Sequence, residues 1–273
     1  MDERAHGSGT RPDLVVRLLG RIEVRTNTSE VRLAGRQAQA LFALLVLQPR
    51  PRTRDAIAAD LWPDADGGSS ASLRQALWLV RSGLAGVGLD PDRLLEIDGD
   101  IIGLRHAARL DLDAARFEAA LSADPARPGE AVGIYRGDLA EGLGHECFAA
   151  ERERLADSYE DALVLLAERQ LRDGDFDGAR RAALELLGRD PLREEAHIVL
   201  IRVYGAAGSR SQVHRQYRRL RDVLTRELEV EPLPETQAAY RAALAQTVER
   251  SGRRVASSVF AAGVSKPVFV GTS

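Results

Sequence analysis

The chain has 273 residues, of which 44% are hydrophobic, 29% charged and 5% aromatic, which allows two domains and disfavours fibrous proteins, disordered proteins and aromatic-rich β-sandwiches. Its single cysteine, Cys147, excludes an intramolecular disulfide, and with neither a signal peptide nor a long apolar run we expect a cytoplasmic protein with no membrane partner. The net charge of −3 counts weakly against a nucleic-acid-binding protein.

The N-terminal part is predicted to begin with a small sheet and a buried helix. Apolar and polar residues alternate in short runs, which favours strands at 14–19, 22–24 and 31–33. The run from Gln37 to Leu47 is apolar on nearly every side and ends just before Pro49. It therefore predicts a helix at the centre of this domain.

Two shorter helices follow. The first is predicted at 54–61, with Thr53 as its N-cap, because the hydroxyl of a threonine can accept a hydrogen bond from the first turn. The second is predicted at 72–84, where apolar residues recur at helical spacing and leave a polar face exposed.

A hairpin completes this part of the chain. Asp98-Gly99-Asp100 is a turn sequence between two apolar segments, 94–97 and 101–104. Strands, three helices and a hairpin are the plan of a winged helix-turn-helix with an N-terminal sheet, which we assign to residues 13–110. In this plan the third helix enters the DNA major groove and the hairpin reaches the DNA backbone or the minor groove.

The rest of the chain is predicted to be helical, so the protein is mainly α with a small β component. Helices are expected at 113–121, 129–136, 146–172, 175–189, 192–206, 209–228 and 234–246. The segment 247–273 has no strong periodicity and is expected to be a flexible tail or the start of a truncated domain.

A 34-residue repeat is visible in the helical part. At this offset Gly174 aligns with Gly208, Ala179 with Val213, and Leu186 with Leu220. Helix pairs with such a period stack to bury the apolar face that no pair can bury alone. We therefore expect a tetratricopeptide-like array over residues 111–246, with a surface for protein partners.

Eight side chains are candidates for DNA contact. Arginine and glutamine can pair with guanine and adenine, whereas tryptophan can only contact a thymine methyl group or pack. Residues 36–84 have a local net charge of +2, so this part of the chain is modestly basic. The candidates are Arg36, Arg52, Arg54, Ser72, Arg74, Gln75, Trp78 and Arg81. The alternative is a solvated amphipathic third helix with Trp78 packed on a neighbour.

The sequence favours neither enzymatic activity nor a metal or other cofactor. The run from Asp173 to Gly178 imitates the start of a calcium loop, but Leu184 stands where a bidentate glutamate is required. His145 and Cys147 have no second cysteine nearby, and the glycine-rich phosphate-binding motifs of nucleotide-binding enzymes are missing.

A basic run lies in the helix predicted at 209–228. It comprises Arg215, Arg218, Arg219, Arg221 and Arg226. Such a run is usually a solvated helix face, and the alternative is a docking site for an acidic partner or for DNA.

Short motifs in a fixed order resemble a known family. They are LWPDAD (61–66), SLRQAL (72–77), ARFEAAL (115–121), YRGDLAEGL (135–143), ERERL (151–155) and EPLPETQAAY (231–240). The chain is similar over residues 13–246 to transcriptional regulators of the Streptomyces antibiotic regulatory protein type, in which an OmpR-like DNA-binding domain precedes a bacterial transcriptional activator domain. The resemblance implies an activator that binds double-stranded promoter DNA as a homodimer and contacts RNA polymerase.

Two departures from this family leave other functions open. Leu79 stands where such regulators often have a DNA-contacting arginine, and the hairpin tip carries Asp98 and Asp100 where phosphates would favour basic residues. The first alternative is a helical protein-interaction adaptor with a degenerate winged helix. The second is the N-terminal part of a larger ATPase regulator.

Overall fold

The computed structural model describes the backbone of residues 13–64 and 69–262 and the side chains of those residues up to 248. The chain divides into two compact units, residues 1–159 and 160–273. The strands of the described residues all lie in the first unit, and helices make up most of both. The predicted fold class, mainly α with a small β component, is confirmed.

The N-terminal sheet has three strands in the order β2-β1-β6. Strand β1 (Leu14–Arg17) pairs antiparallel with β2 (Glu23–Arg25) and parallel with β6 (Leu110–Leu112). Val16 lies opposite both Val24 and Leu112 in this register. The sheet therefore joins the beginning of the chain to a segment almost one hundred residues later.

Strand β1 is shorter than predicted because a carboxylate takes over its last hydrogen bonds. Asp113 accepts the N–H groups of Leu18 and Leu19 at 2.8 and 3.0 Å and that of Ala114 at 2.8 Å. Asp113 is buried, and burial raises the pKa of its carboxyl although the three N–H donors oppose that shift. The hydrogen bonds therefore offset only part of the cost of removing this carboxylate from water.

The strand predicted at 31–33 is not formed. Val31 donates a single hydrogen bond to the Val24 carbonyl at 2.8 Å, and the chain then leaves the sheet. Val31 and Leu33 are nevertheless buried. Their alternating pattern thus reports burial of an irregular segment rather than strand pairing.

Three helices follow strand β2 in the chain. They are α1 (Gly35–Leu47), α2 (Arg54–Leu61) and α3 (Ser69–Ala85). Helix α1 buries every residue from Ala40 to Val46, which confirms its predicted central position. Thr53 caps α2 as predicted, because its hydroxyl accepts the Ala56 N–H at 3.3 Å.

A second sheet carries the predicted hairpin. Its strands are β3 (Arg52–Thr53), β4 (Leu95–Asp98) and β5 (Ile101–Leu104), in the order β3-β5-β4, preceded by the one-turn helix α4 (Pro91–Leu94). Gly99 at the turn has φ +55°, in the left-handed region that favours glycine. The predicted winged helix with an N-terminal sheet is confirmed.

Helices α5 (Asp113–Ser122) and α6 (Pro128–Ile134) complete the first unit, followed by a 3-10 turn and the start of α7 (Ala149–Asp173). Tyr135 stacks on Tyr159 with ring centroids 4.1 Å apart and meets Phe117 at 5.6 Å. The domain boundary expected after residue 110 lies within this unit and remains a prediction.

The second unit contains the last part of α7 and α8 (Phe176–Arg189), α9 (Glu194–Ala206), α10 (Arg210–Glu227) and α11 (Pro234–Ala262). Its hydrogen bonds repeat at the predicted offset of 34 residues. Asp175 N–H donates to the Gln170 carbonyl at 2.8 Å, and Ser209 N–H donates to the Tyr204 carbonyl at 2.9 Å. The inter-helix turns contain Gly174 (φ +80°) and Gly208 (φ +72°). The two helix pairs are therefore structural repeats.

The acidic run at the first of these turns has a capping role. Asp175 accepts the Gly178 N–H at 2.9 Å and so caps the start of α8. Helix capping accounts for an aspartate at this position without a bound cation.

Helix α11 is longer than predicted. The sequence predicts an end at residue 246, but the helix continues to Ala262, because residues 247–262 contain one glycine and no proline to interrupt it. The flexible segment predicted at 247–273 is thus helical in its first part. Residues 263–273 lie outside the described residues.

Replacing Asp113 by alanine should destabilise the first unit. Asp113→Ala leaves the Leu18 and Leu19 N–H groups without an acceptor, and we expect a loss of about 3 kcal/mol in the free energy of unfolding, with a smaller loss for Asp113→Asn. Urea unfolding measures this. Asp111→Ala, which removes a partly exposed ion pair to Arg116 at 3.6 Å, should cost less than about 0.5 kcal/mol. Equal losses for Asp111→Ala and Asp113→Ala would contradict the assignment.

Two helical glycines in the second unit should respond oppositely to alanine. A Cβ at Gly205 would lie 2.8 Å from the Ala243 Cβ, whereas a Cβ at Gly188 would meet nothing within 4 Å. Gly205→Ala should therefore lower the melting temperature by pushing α11 away from α9. Gly188→Ala should stabilise by about 0.5 to 1 kcal/mol through helix propensity. Thermal unfolding followed by circular dichroism distinguishes them, and a loss at both positions would show that packing is not the cause.

Candidate nucleic-acid interface

An open groove of about 550 Å³ runs along α3 beside the start of α2. Four of the eight predicted contact residues line it, Arg54, Arg74, Trp78 and Arg81, together with Ser70, Leu73 and Leu77. These four side chains come from two helices, so the fold brings together what the sequence separates. We call this feature the α3 groove.

Helix α3 is fixed in place by its apolar face. Leu73, Ala76, Leu77, Val80 and Leu84 are buried, as their spacing predicts. Near its end, a Cβ at Gly83 would lie 2.6 Å from the Arg32 carbonyl oxygen, so only glycine lets the helix approach that segment so closely. The opposite face of α3 is therefore held outward.

Trp78 is the most conspicuous side chain on that outward face. It is 65% exposed, and Arg74 and Gln75 beside it are exposed as well. Trp78 is therefore not buried against a neighbour, and the alternative of a solvated amphipathic helix stays open. An exposed indole ring offers a large apolar area that a contact could remove from water.

Arg54 connects the α3 groove to the hairpin. Its Nε–H donates to the Gly99 carbonyl at 3.1 Å, and its backbone N–H donates to the Asp100 carbonyl at 2.8 Å. The first residue of α2 is thus bonded to the tip of the hairpin. A single residue both lines the groove and fixes the hairpin tip.

Arg81 is held by an acidic partner that the sequence analysis missed. It donates two hydrogen bonds to Asp92, at 2.6 and 3.3 Å, and the Arg81 guanidinium lowers the pKa of the Asp92 carboxyl below its usual value. The dipeptide Asp90-Pro91 is a helix-start sequence that could have placed Asp92 in the first turn of a helix. Asp90 indeed caps α4 by accepting the Asp92 N–H at 3.0 Å.

The other predicted residues lie outside the α3 groove. Arg52 is ion-paired with Asp60 at 2.7 Å and donates to the Gln48 side chain at 2.9 Å. Arg36 is exposed in the first turn of α1, Gln75 is exposed on α3, and Ser72 is half-buried.

The two departures from the family pattern, the acidic hairpin tip and Leu79, have different positions relative to the α3 groove. Asp98 and Asp100 are exposed on either side of Gly99, so the hairpin tip is acidic as its sequence indicates. Leu79 is half-buried and does not line the α3 groove. An arginine at position 79 is therefore not needed to make that groove basic.

Comparisons with known proteins agree on family and fold. The sequence profile of the bacterial transcriptional activator domain matches residues 103–244. The structure is similar to that of Mycobacterium tuberculosis EmbR in complex with a low affinity phosphopeptide, with a TM-score of 0.70 and 22% identity over 92% of this chain and 71% of that one. A comparison with curated protein sequences finds no match.

The described residues offer neither a membrane-spanning helix nor a cluster of metal ligands. None of their helices is both long enough and apolar enough to cross a membrane. They also contain no cluster of three or more histidine, cysteine, aspartate or glutamate side chains that could hold a metal ion.

The Arg81–Asp92 pair can be tested by titration. Arg81→Gln should raise the pKa of Asp92 toward the ordinary aspartate value of about 3.9, as followed by NMR of its carboxyl carbon. Because the folded-state pKa is lowered, the pair stabilises the fold above the unfolded-state pKa, and this contribution is lost as the pH falls through the folded-state value. Arg93→Gln, at the neighbouring exposed arginine, is the control. An unchanged Asp92 titration in Arg81→Gln would rule the pairing out.

Proposed function

The chain belongs to the bacterial transcriptional activator domain family and is a transcriptional regulator, and from this we propose that it binds double-stranded promoter DNA through residues 13–110 and activates transcription. The helical residues 111–246 then contact protein partners. The EmbR likeness supports the fold of this arrangement, a winged helix followed by a helical array.

The exposed face of α3 is the observation that carries the proposal. Trp78 and Arg74 lie on the exposed face of α3, the third helix of the winged helix. Arg54, from α2, lines the same groove. In a winged helix the third helix is the one that enters the major groove. Arg74 can pair with a guanine edge, Gln75 with adenine, and Trp78 can pack on a thymine methyl group.

The remaining candidate residues suit contacts with the DNA backbone. We assign phosphate contacts to Arg36, Arg52, Arg54 and Arg81 and a weaker one to the Ser72 hydroxyl. Arg52 and Arg81 are already ion-paired, with Asp60 and Asp92. Each must exchange or share its carboxylate when a phosphate approaches, which lowers its net contribution to affinity.

The helical array supplies the protein contacts in this proposal. We assign to it self-association into a homodimer and contact with RNA polymerase. A dimer would bind two half-sites whose separation follows the helical repeat of DNA. Analytical ultracentrifugation with one-half-site and two-half-site duplexes tests the dimer directly.

The acidic hairpin tip favours a second candidate function, an adaptor whose winged helix contacts protein. Asp98 and Asp100 would repel the phosphate backbone, so a hairpin that contacts DNA has to do so through other atoms. In the adaptor, Leu79→Arg would create DNA affinity where none existed. In the regulator, that substitution would only adjust an existing affinity.

DNA binding by the α3 groove predicts a specific loss in one variant. Arg74→Ala should lower affinity for the protein's own upstream region by about 1 to 3 kcal/mol, roughly 5- to 150-fold, because a base-edge contact is lost. Fluorescence anisotropy with labelled duplexes at two salt concentrations measures this. Trp78→Ala should also weaken binding, and both variants should reduce the preference over random duplex.

The control is Arg25→Ala, which removes an exposed arginine from β2 in the N-terminal sheet and leaves α3 untouched. It should change affinity by less than about twofold. The proposal fails if the wild-type protein shows no preference for its upstream region, or if Arg25→Ala is as damaging as Arg74→Ala.

A further inference from the structure

A second open groove, of about 690 Å³, lies in the second unit between α8 and α10. We call it the α8/α10 groove. One wall is basic and comes from α10, and the other is apolar and comes from α8. The side chains that matter are Arg215, Arg218, Arg219, Arg226, Leu184 and Leu187.

The basic wall is largely uncompensated. Within the described part of the chain, Arg215, Arg218 and Arg219 have no ion pair, and the one acidic side chain lining the groove, Asp222, lies 4.0 Å from Arg221. Arg226 is paired with Glu227 at 2.8 Å. Three free guanidinium groups therefore face the same groove in a stretch, residues 106–246, whose overall charge is −6.

The apolar wall has room for a ligand. Leu184 is 42% exposed and Leu187 is half-buried. Gly188 follows on the same face of α8, and a Cβ placed there would meet nothing within 4 Å. An exposed leucine beside an open helix surface is a place where an apolar side chain can gain burial.

A buried histidine with two hydrogen bonds forms the base of the groove. His197 is 1% exposed, its Nδ1 accepts from the Gln216 amide at 2.8 Å, and its Nε2–H donates to the Pro191 carbonyl at 3.2 Å. Burial lowers the pKa of His197, so its ring is neutral in this network. Gln216 lies between the basic residues on α10, and its bond to His197 fixes their helix against α9.

We propose that the α8/α10 groove binds an acidic amphipathic segment of a protein partner. Carboxylates of that segment bind the free arginines, and its apolar side chains pack on Leu184 and Leu187. From Arg215 to Arg226 the basic stripe extends about 16 Å, or three helical turns of ligand. Duplex DNA fits less well, because its phosphates offer nothing to the apolar wall. The proposal does not depend on DNA binding by the first unit.

The test uses a defined probe and the full chain. The probe is a fluorescein-labelled synthetic helical peptide of about 16 residues with glutamates on one face and leucines on the other. Two controls are the same peptide with glutamine for glutamate and a scrambled peptide of the same composition. In fluorescence anisotropy the probe should bind at least about tenfold more tightly than either control, and more weakly as salt rises.

Variants on both walls locate the site. Arg218→Gln with Arg219→Gln, and separately Leu184→Ser, should each weaken probe binding by about tenfold. Gly188→Phe should do the same by filling the groove, whereas Gly188→Ala should bind like wild type. Circular dichroism checks that each variant is folded. If Gly188→Phe does not fold, Leu184→Ser still tests the apolar wall, because Leu184 is exposed and its replacement should leave the fold intact.

Three outcomes would overturn the proposal. The first is equal binding of the scrambled peptide, which would mean attraction by charge alone. The second is an unchanged affinity in Leu184→Ser together with Gly188→Phe. The third is that a short DNA duplex displaces the probe equally well from Arg74→Ala and from the wild-type protein. That result would make the α8/α10 groove a nucleic-acid site. Arg74→Ala should otherwise bind the probe normally, which separates this proposal from DNA binding by α3.

Discussion

The first unit depends on one buried carboxylate. Asp113 accepts the backbone N–H groups of Leu18 and Leu19, 95 and 94 residues earlier in the chain, and so ends β1 and begins α5 at the same point. The parallel pairing of β1 with β6 places Asp113 there. Parallel strands need a long connection, and here that connection is the helix-turn-helix and its hairpin. The helix-turn-helix and its hairpin thus lie, in sequence, between two paired strands of one sheet, and Asp113 follows the second of them.

The long elements could be predicted from the sequence because periodicity, caps and stop signals all agree in them. Helix α1, the Thr53 cap and the 34-residue repeat of the second unit are examples. The elements that were missed, α4, β3 and β6, have two to four residues each, too few for any period to be visible. Val31 and Leu33 show the converse, a strand-like pattern produced by burial alone.

The candidate site also has a part that the sequence predicts and a part that only the folded structure shows. The outward face of α3 follows from helical spacing, and Arg74 and Trp78 are where that spacing predicts. The partners of Arg52 and Arg81 could not be predicted, since each pairing depends on how a turn places an aspartate eight or eleven residues away. The basic stripe of α10 was visible in the sequence, but the apolar wall facing it exists only because α8 packs nearby. Charge patterns can be read from one helix, whereas a groove needs two.

The bond between Arg54 and the hairpin tip has a consequence for shape discrimination. Because Arg54 holds the Gly99 and Asp100 carbonyls, the start of α2 and the hairpin cannot separate without breaking two hydrogen bonds. If the unit docks on a duplex as proposed, the distance between the start of α2 and the hairpin tip stays the same on every DNA sequence. Sequences whose groove width or bend matches that distance would be preferred even at base pairs that no side chain touches.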